Sequence, residues 1–155
     1  MKKILLMFVI TIAIIAQPLE ATATAAPSSS EHSSATSHGE LVTAYIIKEI
    51  NVYRSKLGLD PVQINDETCN FAKIRAYEIK SNFSHDGFNQ RTHSKTLPYA
   101  HWRVITENIA MTSDYKQVER MWENSPGHAK NMRADTPYVC VIQDGDYFDY
   151  VGLKP

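Results

Sequence analysis

The chain carries helical periodicity in its first two thirds and strand patterns only at its end, and this order limits the folds that it can adopt. Residues 42–57 place an apolar side chain at every third or fourth position, which predicts an amphipathic helix that ends at Gly58. Residues 138–143 and 147–153 are rich in β-branched and aromatic residues and flank the turn sequence "DGD". Helices followed by a terminal hairpin predict an α+β domain in which helices pack on a small antiparallel sheet.

The middle of the chain contains three further helix patterns. One helix is predicted to begin after Asn65, which can cap its first turn. Its apolar stripe consists of Cys69, Ala72, Ala76, Ile79 and Phe83. The stretch "SHDGFNQR" is predicted to break this helix, and residues 92–106 have no clear period, which indicates a connecting segment. Another helix is predicted from a Ser113 cap, and a short one begins at Pro126.

The N-terminal segment has the pattern of an export signal. Lys2 and Lys3 precede an apolar run of about 13 residues, and small residues suited to cleavage follow. Residues 1–25 are therefore predicted to be a signal peptide; a permanent membrane anchor is less favoured, because spanning a bilayer takes about 20 apolar residues. Residues 26–40 are rich in Ser and Ala and are predicted to be a disordered linker. Residues 41–155 are predicted to form one secreted domain.

The charge balance gives little indication of a partner. The chain has 16 Lys and Arg against 17 Asp and Glu, for a formal net charge of -1, and no basic stripe. This argues against binding to nucleic acid or to an anionic membrane surface. We expect a monomer.

The two cysteines, Cys69 and Cys140, both fall on positions predicted to face the core. A disulfide is chemically reasonable in an exported protein, and closing so long a loop would stabilise the fold by roughly 4 kcal/mol. Two buried free thiols, acting as small apolar residues, are the alternative. The core-facing positions slightly favour the disulfide.

The sequence "MWENSPGH" predicts a sharp corner that fixes one histidine. Ser125 can cap a new helix, and Pro126 suits the first helical position because its missing N–H is not needed there. His128 then falls in the opening turn. Ser125 and His128 are better explained as cap and first-turn residue than as nucleophile and base, because no nucleophile-elbow motif surrounds them.

Three residues remain as candidates for chemistry: His85 in "FSHDGF", Glu107 in "TENIA" and His128. Each is predicted to lie at a junction between regular elements. Two imidazoles and a carboxylate could form a partial Zn²⁺ site, or act as acid and base in a cleft. Their spacing in the sequence does not show that the three side chains meet in space. Without further information, the favoured interpretation is three unconnected surface residues.

A resemblance changes this balance. The segments "INVYRSKLGL", "FSHDGF", "ENIA" and "MWENSPGHAKNM" occur in the order and wording typical of the CAP superfamily, and they resemble its bacterial branch in particular. This group includes the cysteine-rich secretory, antigen-five and pathogenesis-related proteins. The resemblance extends over residues 41–155.

The resemblance implies a three-layer α-β-α sandwich with a small central antiparallel sheet. It also implies a cleft in which His85, Glu107 and His128 meet and which in some members holds a divalent cation such as Zn²⁺. Ser125, Trp122 and Asn108 are then expected to line this cleft. No other cofactor is implied.

Two departures from the family pattern bear on the cleft. Thr106 stands where members often have Gly, so the backbone there is expected to differ. Many members also have a glutamate three residues after the tryptophan, where this chain has Ser125. Glu123 lies about 200° away on a helix, so we interpret it as a solvated residue and expect three polar groups rather than four.

We therefore expect an extracellular binding module for a lipid, a glycan or a protein partner. The alternative is a zinc-dependent hydrolase in which His85 and His128 hold the metal and Glu107 is the base. A passive envelope or spore-coat component is a third possibility, because fold membership does not decide activity.

Overall fold

The computed structural model describes residues 30–155, so the predicted signal peptide lies outside the described residues. The helices and strands follow one another in this order: α1 Ser30–Lys56, β1 Gln63–Ile64, α2 Asp66–Ile79, α3 Asp86–Ser94, β2 Val104–Met111, α4 Val118–Glu123, α5 Pro126–Met132, β3 Tyr138–Asp144 and β4 Tyr147–Lys154. A single 3₁₀ turn, Tyr115–Gln117, precedes α4.

The first helix is longer than its periodic pattern predicts. It begins at Ser30, so residues 30–40 of the predicted disordered linker are helical, and only residues 26–29 of the linker lie outside the description. The composition of residues 26–40 predicts disorder only for a segment that stands alone. These residues instead continue a helix that core side chains hold from Val42 onward, and extending an existing helix is far easier than nucleating one.

The sheet has four strands in the order β1-β3-β4-β2. The predicted hairpin is confirmed: β3 and β4 pair antiparallel from Tyr138↔Leu153 to Asp144↔Tyr147, and Gly145 takes φ 65° in the turn. Strand β2 pairs antiparallel with the other edge of β4. The two-residue strand β1 adds a short parallel pair to β3, which the expectation of a purely antiparallel sheet did not include.

Helices cover both faces of this sheet. One face packs against α1, α4 and α5 through the buried side chains Ile46, Ile50, Trp122, Met132, Val141 and Tyr150. The opposite face packs against α2 and α3 through Phe71, Ala72, Phe88, Cys140, Val151 and Leu153. The α+β class and the three-layer α-β-α sandwich are therefore confirmed.

A disulfide connects one helical layer to the sheet. Cys69 in α2 and Cys140 in β3 are joined with an S–S distance of 2.08 Å and a Cα–Cα distance of 4.9 Å. The alternative of two free thiols is wrong, and the described residues contain no free cysteine.

Several boundaries in the middle of the chain differ from the predictions. Helix α2 ends at Ile79, so Phe83 lies beyond it and is 46% exposed rather than on a core stripe. The stretch predicted only to break α2 begins a new helix, α3. The capping residue is Asp114, not Ser113, and it caps the 3₁₀ turn that leads into α4: its carboxylate accepts a hydrogen bond from the Lys116 N–H at 3.0 Å.

Strand β2 is a further element that the sequence did not predict. It overlaps the stretch without a clear period, residues 92–106, only at residues 104–106, and its burial does not alternate along the strand. The expectation that Glu107 lies at a junction is therefore wrong. Glu107 lies inside β2, opposite Val151 of β4.

Candidate functional site

Glu107 is held in the interior by a buried arginine. Its Oε1 accepts a hydrogen bond of 2.7 Å from Nε of Arg75, which reaches across from α2, and both side chains are almost fully buried. Burial lowers the pKa of Arg75, but the hydrogen bond and negative charge of Glu107 outweigh it, so that the pKa is raised. This ion pair anchors the carboxylate between α2 and the sheet.

His85 reaches the other oxygen of the same carboxylate. Its Nδ1 lies 2.6 Å from Oε2 of Glu107. Because the carboxylate beside Arg75 can only accept, Nδ1 of His85 must carry the proton and donate it, which leaves Nε2 as the atom with a free lone pair in the neutral ring. Arg75 also donates to the carbonyl of Ser84 at 2.9 Å and thus holds the segment that carries His85.

The Ser-Pro corner orients His128, although not through the capping bond that was predicted. Ser125 has the extended backbone of a cap residue, with φ −105° and ψ 114°, and Pro126 is at the first position of α5. The Ser125 hydroxyl, however, makes no capping hydrogen bond. The corner therefore depends on the backbone preferences of Ser-Pro, and α5 is tied down from the neighbouring strand instead.

Two asparagines provide that connection between α5 and β2. Nδ2 of Asn108 donates to the carbonyl of His128 at 3.1 Å, and Nδ2 of Asn131 donates to the carbonyl of Glu107 at 2.8 Å. Asn131 also donates to Oδ1 of Asn108 at 2.9 Å. Asn108 is fully buried, so it holds the backbone of His128 from the interior of the protein through this hydrogen bond.

The two imidazoles come together as the resemblance implied. Their ring centroids are 6.0 Å apart, with the ring planes at 59°. Burial, followed by the nearby His85, lowers the pKa of His128. His128 is therefore neutral at physiological pH and has a nitrogen lone pair available for a ligand or a cation.

An apolar groove of about 340 Å³ adjoins His128. Ser125 and Trp122 line it, together with Phe83, Met111 and Met121. The indole N–H of Trp122 donates to the Ile109 carbonyl at 3.1 Å, so this side chain is part of the core and forms one wall of the groove. Another cavity, of about 240 Å³, is lined by His85 and Glu107.

The predicted three-residue ligand set is not arranged around one point. Among the residues that the structure describes, no group of three or more His, Cys, Asp or Glu side chains could hold a metal ion. Both oxygens of Glu107 are already engaged, one by Arg75 and one by His85. Glu107 therefore orients His85, and only the two imidazoles remain as candidate ligands.

The two departures from the family pattern have structural explanations. Thr106 pairs with Gly152 across the sheet, and a Cβ at Gly152 would lie only 2.6 Å from Oγ1 of Thr106. The threonine fits without a break in β2 because the residue opposite it has no side chain. Glu123 is exposed, in line with the interpretation as a solvated residue.

Three residues of this site were not predicted: Arg75, Asn131 and Asp149. The position of Arg75 could have indicated its burial, because it lies on the apolar stripe of α2, three residues after Ala72 and four before Ile79. Asp149 likewise interrupts an otherwise apolar strand between Phe148 and Tyr150. Asn131 had no comparable signal, because its role depends on the position of β2.

Comparisons with known proteins agree with this architecture. A curated relative is the uncharacterized protein YkwD of Bacillus subtilis (strain 168), which is 27% identical over 123 residues; the alignment covers 72% of this chain and 47% of YkwD. The chain thus spans about half the length of that relative.

Three solved structures resemble the chain. An extracellular protein with an SCP domain from Bacillus anthracis str. Ames has a TM-score of 0.65 and 22% identity, covering 76% of this chain and 41% of that one. A cysteine-rich secretory protein from Staphylococcus aureus Mu50 has a TM-score of 0.64 and 18% identity, covering 76% and 40%. An outer surface protein from Borrelia burgdorferi has a TM-score of 0.59 and 26% identity, covering 70% and 89%.

At 22% and 18% sequence identity, the Bacillus anthracis and Staphylococcus aureus structures establish likeness of fold only. The sequence itself also matches the model of a described family, over residues 47–137, which is more than half of the chain. That family is the cysteine-rich secretory protein family, and this chain belongs to it.

Proposed function

We propose that the protein is an extracellular binding module whose His85–His128 pair and adjoining apolar groove receive one amphipathic ligand. One solved relative is an extracellular protein and another is an outer surface protein, which supports a place outside the cytoplasm. Within residues 30–155, no helix is long and apolar enough to cross a membrane. Secretion through the predicted signal peptide is part of the proposal.

The observation that carries this proposal is the burial of Glu107 with a hydrogen bond on each of its carboxylate oxygens. A general base needs a free lone pair directed at the substrate or at a bound water. Both carboxylate oxygens of Glu107 instead point at partners inside the protein. This argues for a cleft that binds, with Glu107 as an orienting group, rather than for a hydrolase.

A loosely held divalent cation fits the two histidines. Nε2 of His85 and the neutral ring of His128 offer two nitrogen ligands, and carboxylate-oriented imidazoles are common in metal sites. Two protein ligands leave the other coordination positions to water or to the ligand itself. When bound, the cation would supply a positive centre for an anionic or oxygen-rich group.

The groove favours a ligand with an apolar portion. Phe83, Met111 and Met121 are 46%, 53% and 39% exposed, which is high for large apolar side chains that lie around one groove. Flexible methionines adapt to irregular apolar shapes. A lipid, with its polar group at the His pair and its chain along the groove, fits better than a glycan.

Zinc binding provides the first test. Zn²⁺ titrated into the purified protein by calorimetry is expected to bind weakly, and the His85→Ala/His128→Ala double variant is expected to lose this binding. His101→Ala, which removes an exposed histidine elsewhere, is the matched control and should bind as the parent does. Binding that persists in the double variant would remove the shared site.

A turnover screen separates the binding module from the hydrolase. Peptide, ester and peptidoglycan substrates are expected to show no turnover above buffer, with or without zinc. Turnover that disappears in Glu107→Gln, while the thermal midpoint of that variant stays close to the parent's, would establish the hydrolase instead.

A further inference from the structure

A second buried acid lies behind the cleft, at Asp149 of β4. Its side chain is 0% exposed, and neither carboxyl oxygen accepts a hydrogen bond from an N–H or hydroxyl group of the described residues. Asp149 is two residues from Val151, which is opposite Glu107, so the two acids are diagonal neighbours on one face of the sheet. Nothing in the proposed function uses this side chain.

The nearby cation does not neutralise Asp149. The guanidinium of Arg75 donates to Glu107, to Glu78 and to the carbonyl of Ser84, and none of its hydrogen bonds goes to Asp149. The charged groups that act on Asp149 are Glu107, Arg75 and Glu78, and the buried Tyr99 phenol, whose oxygen has no hydrogen-bond partner among the described residues, is also in electrostatic range. Two ionised acids beside one cation would leave a buried negative charge uncompensated, which is strongly unfavourable.

We propose that Asp149 is a neutral carboxylic acid that donates its O–H to Glu107 and so acts as a positioning residue for the His85 ring. This inference rests on the proposed function of the His pair. Glu107, the diagonal neighbour of Asp149 on the sheet and the hydrogen-bond partner of Arg75, is the acceptor for this proton. Glu107 then receives three donors, from Arg75, His85 and Asp149, and is fixed in the orientation that His85 requires.

The electrostatics of the pair support this arrangement. Burial, followed by the negative charge of Glu107, raises the pKa of Asp149 well above its ordinary value of 3.8. A neutral acid kept as a hydrogen-bond donor is a known device of apolar sites. Groups that orient a histidine ligand typically change metal affinity by about 10–100-fold when removed.

Infrared spectroscopy tests the proton directly. At pH 7, the spectrum of the parent minus that of Asp149→Asn is expected to contain the carbonyl stretch of a protonated carboxylic acid. The matched control, Asp144→Asn, removes a surface acid paired with Lys80, and its difference spectrum should lack this band. Absence of the band from the Asp149→Asn difference would overturn the inference.

Two variants test the positioning role. Asp149→Asn keeps an N–H donor for Glu107, whereas Asp149→Leu keeps the approximate volume and removes the donor. Asp149→Leu is expected to weaken zinc binding by about 10-fold or more, and Asp149→Asn to restore most of it. In the metal-free protein, the downfield proton resonance of His85 Nδ1–H should be present in the parent and in Asp149→Asn and lost in Asp149→Leu.

The proton resonance keeps this test independent of the proposed function. If the parent binds no zinc, the binding proposal fails, yet the resonance and the infrared band still report on Asp149. A resonance that survives unchanged in a folded Asp149→Leu would refute the positioning role. If Asp149→Leu does not fold, loss of the resonance in Asp149→Asn would refute it as well.

Discussion

Replacing Arg75 with methionine is expected to lower the free energy of unfolding by about 3–5 kcal/mol, because it leaves the carboxylate of Glu107 buried without its cation. The substitution also removes the hydrogen bond to the Ser84 carbonyl and so loosens the segment that carries His85. Chemical denaturation followed by circular dichroism gives the measurement. The zinc site should weaken in the same variant, because His85 loses its support.

A double variant and a surface variant act as controls for this effect. Arg75→Met/Glu107→Leu removes both charges together and is expected to recover most of the lost stability, since no uncompensated charge remains. Lys80→Met breaks the exposed ion pair with Asp144, in which N and O are 2.8 Å apart, and should change the free energy of unfolding far less, because solvent screens an exposed pair. A loss no larger in Arg75→Met than in Lys80→Met would show that the buried pair does not hold the two layers together.

Removing the disulfide should destabilise the protein by roughly 4 kcal/mol. The two cysteines are 71 residues apart in the sequence. In the chain-entropy model, the bridge stabilises the fold mainly by restricting the unfolded chain. Cys69→Ser/Cys140→Ser is therefore expected to shift the denaturation midpoint downward. The dependence on denaturant concentration should also become steeper, because an unbridged unfolded chain exposes more surface.

Reduction supplies the matched comparison. The parent in reductant should denature at a midpoint close to that of the double serine variant, while the variant itself should not respond to reductant. On mass spectrometry, the parent should gain two protons on reduction. A midpoint that does not change with reductant, together with intact thiols in the purified protein, would contradict the bridge.

Local patterns predicted the elements that carry a helical period, a capping residue or a turn sequence flanked by β-branched and aromatic residues. Three features could be predicted because each depends on contacts within a few residues. They are the helix of residues 42–57, the Asn65 cap and the terminal hairpin. The Asn65 side chain accepts from the Thr68 N–H at 3.1 Å, as a capping residue should. The Pro126 helix start was likewise a local property.

Strand β2 and its acid could not be predicted in this way. Its burial runs through four consecutive residues, Glu107 to Ala110, because α4 and α5 pack against the strand on one side while Arg75 of α2 reaches it from the other. Such a strand has no period-two signal. The burial of Glu107 follows from Arg75, which lies 32 residues earlier in the chain.

The sequence by itself determined the family, the α+β class and the Ser-Pro corner that begins α5, because motifs, periodicity and backbone preference are local. Only the tertiary structure decided what the site is made of. It brings Arg75, His85, Asp149 and Glu107 to one region and leaves the two imidazoles facing each other. The physical reason is that the energy of a buried charge depends on which partners share its low-dielectric surroundings, and those partners are neighbours in space and not along the chain.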